Sequence, residues 1–152
     1  MSINDFRALL ATTPIPWYMA RALSWFLAVN AAITGWDYMH TPGRAPQSLT
    51  MVEKLASLHT WGILFTVAGG ILAVGLLLKR HAAVWLGHFL CAVLYAGFTV
   101  ATAQAVWQFS HTPEAKFTGS IYRAVTMSLV VTVAHVILCW ARGPVPRRGD
   151  EQ

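Results

Sequence analysis

Residues 81–113, HAAVWLGHFLCAVLYAGFTVATAQAVWQFSHTP, run for 33 positions without Asp, Glu, Lys or Arg. Just before them, Lys79-Arg80 closes a second uncharged run, LASLHTWGILFTVAGGILAVGLLL, residues 55–78, of 24 positions. A helix crosses the hydrocarbon core of a bilayer with about 20 mostly apolar residues. Each run meets that length, and the basic pair between them is a turn too short for anything but two adjacent helices. Residues 124–141 give a third such run of 18 positions, and 22–36 a fourth of 15. The fourth reaches the required length if the polar-tipped Trp17, Tyr18 and Tyr38 stand at its ends. The expected fold is therefore all-α: a polytopic membrane protein with four transmembrane helices in an antiparallel bundle, at about 17–38, 58–78, 83–107 and 120–141.

The composition agrees. Of 152 residues, 56% are hydrophobic and 11% charged. A water-soluble domain carries about 25% charge, so this chain could not dress an aqueous surface. A disordered chain needs high charge and low hydrophobicity, and a disulfide scaffold needs more than 2 cysteines. Trp and Tyr favour the headgroup level. Trp17 and Trp36 bracket the first span, Trp61 opens the second, Trp85 and Trp107 bracket the third, and Trp140 closes the fourth, leaving Trp25 well inside one.

The net charge of +5 invites a nucleic-acid reading, but the basic residues mark topology instead. Arg7, Arg21, Lys79, Arg80, Arg142, Arg147 and Arg148 fall on one side. Arg44, Lys54, Lys116 and Arg123 fall on the other. The side richer in Lys and Arg faces the cytoplasm. Both termini are thus expected inside a bacterial plasma membrane, with the inner charges meeting anionic lipid. No basic stripe with interleaved aromatics suits a nucleic acid. Arg21 followed by Ser24–Ala31 also resembles a signal peptide, with an n-region that would be unusually long.

Between the spans, Ile3, Phe6, Leu9 and Leu10 predict an interfacial helix over 1–14, ended by Pro14 and Pro16. Residues 41–50 are turn-rich. Thr50 and Glu53 fit a capping box for a helix running on into the second span. Loop 109–119 contains Pro113, and 143–152 reads as a disordered cytoplasmic tail.

Ionisable groups at membrane depth are costly and become functional candidates. His88 lies about six residues past the start of the third span and His135 about six before the end of the fourth. At ~1.5 Å per residue both sit about 9 Å deep on the same side. Each belongs to a polar stripe on one helical face: His88, Cys91, Tyr95 and Thr102; and Ser128, Thr132, His135 and Cys139. Polar faces turn inward in lipid, so the stripes should confront each other. Three roles remain open for the histidines. They could be a hydrogen-bonded interior with Tyr95 and Thr132, a proton path, or the two axial ligands of a b-type haem. No other cofactor is expected.

On the opposite side, Asp37 and Arg123 could form an ion pair. His40, His59 and His111 lie near Asp37 but at irregular spacing, and no metal is expected. Cys91 and Cys139 differ in depth by about 10 Å, which excludes a disulfide between them. No phosphate loop, nucleophile elbow or paired carboxylates occurs, so no enzymatic activity is expected.

Small residues recur at four-residue spacing: Gly97, Ala101 and Ala105; Gly69 and Ala73. Such faces pack helices in lipid, either within one chain or between protomers. A non-enzymatic role through assembly follows, with a second copy or another membrane protein as partner beside the lipid itself. Val52-Glu53-Lys54-Leu55-Ala56, then Trp61-Gly62 and Ala68-Gly69-Gly70, resemble small four-span membrane proteins of actinobacterial phages. The resemblance implies a holin-like permeabiliser or an exclusion factor, and it carries no site residue across.

Overall fold

A computed structural model describes residues 16–40, 50–111 and 119–141. The interfacial helix expected over 1–14, the 41–49 turn region, most of the loop around Pro113 and the 143–152 tail lie outside these residues. Five helices account for nearly all of the described chain, and no strand occurs in it: α1 (Trp17–His40), α2 (Thr50–Leu55), α3 (Leu58–Leu77), α4 (His81–Ser110) and α5 (Gly119–Ala141). Among the described residues, three stretches are long and apolar enough to cross a membrane: Leu58–Leu77, His81–Gln108 and Tyr122–Ala141. The chain is a membrane-spanning helical protein.

Its surface has the inverse pattern of a soluble protein. Phe26, Ile33, Leu64, Val67, Phe89, Val93, Met127 and Val130 all face outward, while Ser24, His88, Thr102 and His135 are fully buried. In water such a continuous apolar exterior would aggregate; in lipid it needs no cover.

Small residues decide how closely the helices approach. Gly62 of α3 meets Gly35 and Met39 of α1, and Gly69 meets Ala28, Ala31 and Ala32, so the contact descends α1 as it ascends α3. Between α3 and α4, Gly75 meets Ala83 and Val84, and Gly87 meets Leu72, again in opposite directions. A Cβ at Gly62 would lie 2.7 Å from the Gly35 carbonyl oxygen. The backbones are therefore near touching, as small-residue packing in lipid allows. Ala101 and Ala105 are buried as well. The small faces of α3 and α4 are thus filled within one chain.

Two expectations are corrected. The helix from Thr50 does not run into the second span. It stops at Leu55, and a new helix starts after Ser57, whose hydroxyl accepts the Thr60 N–H at 3.2 Å. Ser57 has φ −58° and ψ 150°, an extended N-cap that breaks the helical path. Trp61 does not face outward either. It is buried, and its indole N–H donates to the Val52 carbonyl at 3.2 Å, tying α2 onto α3. Trp17, Trp36, Trp107 and Trp140 do face outward.

The interior is aromatic. Phe65 packs on Tyr95 with ring centroids 4.7 Å apart, and Tyr38 stacks on Phe98 at 5.6 Å. Among the described side chains of α5, Ser128, His135 and Leu138 are the buried ones. α5 lies chiefly against α4, and a lateral gap separates it from α1.

Candidate functional site: a buried histidine pair

In lipid a polar side chain has no water to bond, so each must find a partner in the protein. Thr102 donates to the Phe98 carbonyl, Ser128 to Ala124 and Val125, and Thr132 to Ser128. These hydroxyls, expected to face a polar interior, fold back on their own helices and need nothing else.

His88 and His135 instead meet each other across two helices. Nδ1 of His88 lies 2.9 Å from Nδ1 of His135, and both residues are wholly buried. On the other side of His88, Nε2 lies 3.0 Å from the Ser24 hydroxyl of α1. Ser24 in turn donates to the Ala20 carbonyl at 2.7 Å. That bond fixes the protons of the whole row. A hydroxyl has one hydrogen; Ser24 gives it to Ala20, so its oxygen accepts Nε2–H from His88. Neutral His88 then offers a lone pair at Nδ1, which accepts Nδ1–H from His135. Neutral His135 is left with a lone pair at Nε2. That atom is the one buried side-chain nitrogen or oxygen without a hydrogen-bond partner among the described residues.

A further layer begins seven residues along α4, where the Tyr95 ring stacks on His135 at 5.8 Å. Its hydroxyl accepts from Asn30 Nδ2 at 2.7 Å and lies 3.4 Å from Thr34 Oγ1. Asn30, Thr34, Tyr38, Tyr95 and Ser128 also line the gap between α1 and α5, a cavity of about 420 Å³ with apolar walls. Ser24, Asn30 and Thr34 have no place in a reading confined to the third and fourth spans. The signal for them lies in the sequence: Asn30 and Thr34 are one turn apart on one face within the uncharged run 22–36.

The haem reading meets a geometric obstacle. Two imidazoles in direct contact leave no width for a porphyrin between them, and both Nδ1 atoms are already engaged. The residues as placed do not fit that group.

The outer cluster does not assemble. Arg123 is exposed in the first turns of α5, and no pair joins it to Asp37 among the described residues. Asp37 has interactions of its own. His40 turns back to the Trp36 carbonyl at 2.9 Å and His111 to the Trp107 carbonyl at 2.7 Å. No group of three metal-ligating side chains gathers among the described residues. Cys91 and Cys139 are both free thiols.

No protein-family model, curated protein or solved structure matches this chain.

Proposed function

We propose that the protein is a four-span antiparallel bundle of the bacterial plasma membrane, with both termini cytoplasmic, that binds and passes protons through its histidine pair without covalent chemistry. The opposed contacts of α1 with α3 and of α3 with α4 support the bundle. The excess of Lys and Arg on the terminal side supports the orientation. One observation carries the proton reading: a buried imidazole pair, hydrogen-bonded in a row, with a lone pair at His135 Nε2 left unpartnered. An incoming proton has that one atom to bind. The row then conducts by rearranging its own hydrogens toward Ser24. Tyr95 and the lateral cavity provide the approach from the opposite side.

Assembly into a holin-like pore, or onto a membrane partner as the phage resemblance implies, remains the competing role. Its main sequence support was the small-residue faces, and contacts within the chain already fill these. Purified protein in liposomes holding a pH-sensitive dye separates the two. Under an imposed potential the proton reading expects acidification that His135→Leu and His88→Leu abolish, while a co-trapped larger dye stays inside. Unchanged flux in a folded His135→Leu protein rejects the proton route. Release of the larger dye favours the pore.

A further inference from the structure

A second cavity, of about 210 Å³, opens where α1 begins and α3 turns into α4. Its apolar floor is Gly75, Leu76 and Val84, with Trp17 at one wall; Arg21, Lys79 and His81 supply the rest. Arg21 is half-buried, and Lys79 and His81 are exposed. No carboxylate lines the cavity, and no ion pair occupies these three side chains among the described residues. Basic groups lining one cavity without a carboxylate favour an anion there.

The backbone gives an independent sign. The Arg80 N–H closes onto the Gly75 carbonyl at 2.9 Å, and the Leu78 N–H onto Val74 at 2.9 Å. Lys79 between them has φ 52°. This is the left-handed residue that ends a helix, a position glycine takes without strain and lysine does not. A lysine held there against its backbone preference points to a use for its ammonium. Arginine presents a fork matched to phosphate oxygens, and lysine adds a point charge. The cavity lies at the helix ends, at headgroup level for a chain spanning lipid, and its apolar floor suits the glycerol and upper acyl region.

We infer that this cavity binds one phosphate-type anion, held by Arg21 and Lys79 with His81 beside them. The anion is either the phosphodiester of an anionic phospholipid or free phosphate. The site takes only the membrane setting from the reading above and owes nothing to the histidine row.

The test uses the full chain in nanodiscs of phosphatidylcholine with or without phosphatidylglycerol. Native mass spectrometry reads the lipid that stays bound, and thermal melting is followed with and without inorganic phosphate. The wild-type protein retains phosphatidylglycerol over phosphatidylcholine. Arg21→Gln with Lys79→Gln lowers that preference on the order of tenfold. Lys79→Gly also lowers it, while its melting temperature in pure phosphatidylcholine stays equal or rises, because glycine relaxes the turn. A role in folding alone could not separate these two readouts. Lys54→Gln with Arg123→Gln, at the other end, leaves the preference intact. Stabilisation by inorganic phosphate that Lys79→Gly removes, without lipid preference, assigns the site to the soluble anion. Two results overturn the inference: retention and phosphate response both insensitive to Arg21 and Lys79, or an equal loss from the Lys54 and Arg123 changes. A third does so too, if Asp5→Asn with Asp150→Asn and Glu151→Gln raises lipid retention. The chain's own carboxylates would then be the occupant.

Discussion

His88 and His135 are chemically unequal although their rings touch. His88 stands between two partners, whereas His135 has its hydrogen bond at Nδ1 alone. Replacing His135 by Leu leaves one open lone pair, on His88. Replacing His88 by Leu strips His135 of its partner and leaves both its nitrogens without one. Hydrogen bonds inside membranes are worth about 0.6 kcal/mol on average and up to ~1.7, and a buried unsatisfied group costs about 1–3 kcal/mol. His135→Leu should thus destabilise by about 1 kcal/mol and His88→Leu by roughly twice that. Unfolding in mixed detergent checks the order, and a reversed order would mean that His88 does not hold both of its hydrogen bonds. Tyr95→Phe should cost about 1 kcal/mol through the Asn30 amide it orphans. Adding Asn30→Ala to it should cost less than the sum, since both changes remove one bond. How much of this row was legible follows from residue type. Imidazoles in an apolar run are conspicuous, and their level could be counted from the span ends. Ser24, Asn30 and Thr34 are neutral, and single hydroxyls or amides in a span are usually satisfied by their own helix. Only the bundle, which brings side chains of α1 within reach of α4, reveals their partners.

Glycines test which faces hold the helices together. A Cβ at Gly62 meets the carbonyl of Gly35, and one at Gly87 meets the backbone of Leu72 at 2.7–2.8 Å. Backbone cannot step aside as a flexible side chain can, so Gly62→Ala and Gly87→Ala should each cost about 1–3 kcal/mol. Gly70 meets nothing within 4 Å. There the same change should leave stability unchanged or raise it by up to about 1 kcal/mol, the helix-propensity gain of alanine over glycine. Thermal melts of the three variants check this, and an equal loss at Gly70 would place a second chain on that face. The helical class and the long apolar helices could be read from the uncharged runs alone, because exclusion of charge over 20 residues has few other causes. The break before α3 could not. Thr50 and Glu53 displayed the familiar cap signature, while Ser57 caps with Thr60 rather than Glu three residues on. Trp61 departs from its expected place for a related reason: position along a helix says where a ring lies in depth, not which way it faces. The turn below Gly62 aims it at Val52.

At the level of the molecule the question is whether α1 joins the three apolar helices in lipid. It carries Arg21 and Asp37, yet these stand 16 residues apart, roughly 24 Å, and their side chains can reach toward the two headgroup layers. The polar groups between them, Ser24, Asn30 and Thr34, all point to partners inside. Its outward large side chains between them, Leu23, Phe26, Val29, Ile33 and Trp36, are all apolar or aromatic. Most telling is α3. Gly35 packs at one end of it, Ala28 and Ala31 pack at Gly69 further along, and α3 is itself a spanning helix. Contact over that length with a spanning neighbour supports the proposed placing of α1 in the same slab of lipid. The even number of crossings proposed above would then return the chain to its starting side. Reporters fused to Met1 and to Gln152 should both be active only in the cytoplasm, and impermeant maleimide should label a cysteine placed in the 41–49 segment from outside intact cells. Ends on opposite faces would leave three crossings. They would also put the Ser24–His88 bond, which needs α1 beside α4 at the same depth, out of reach.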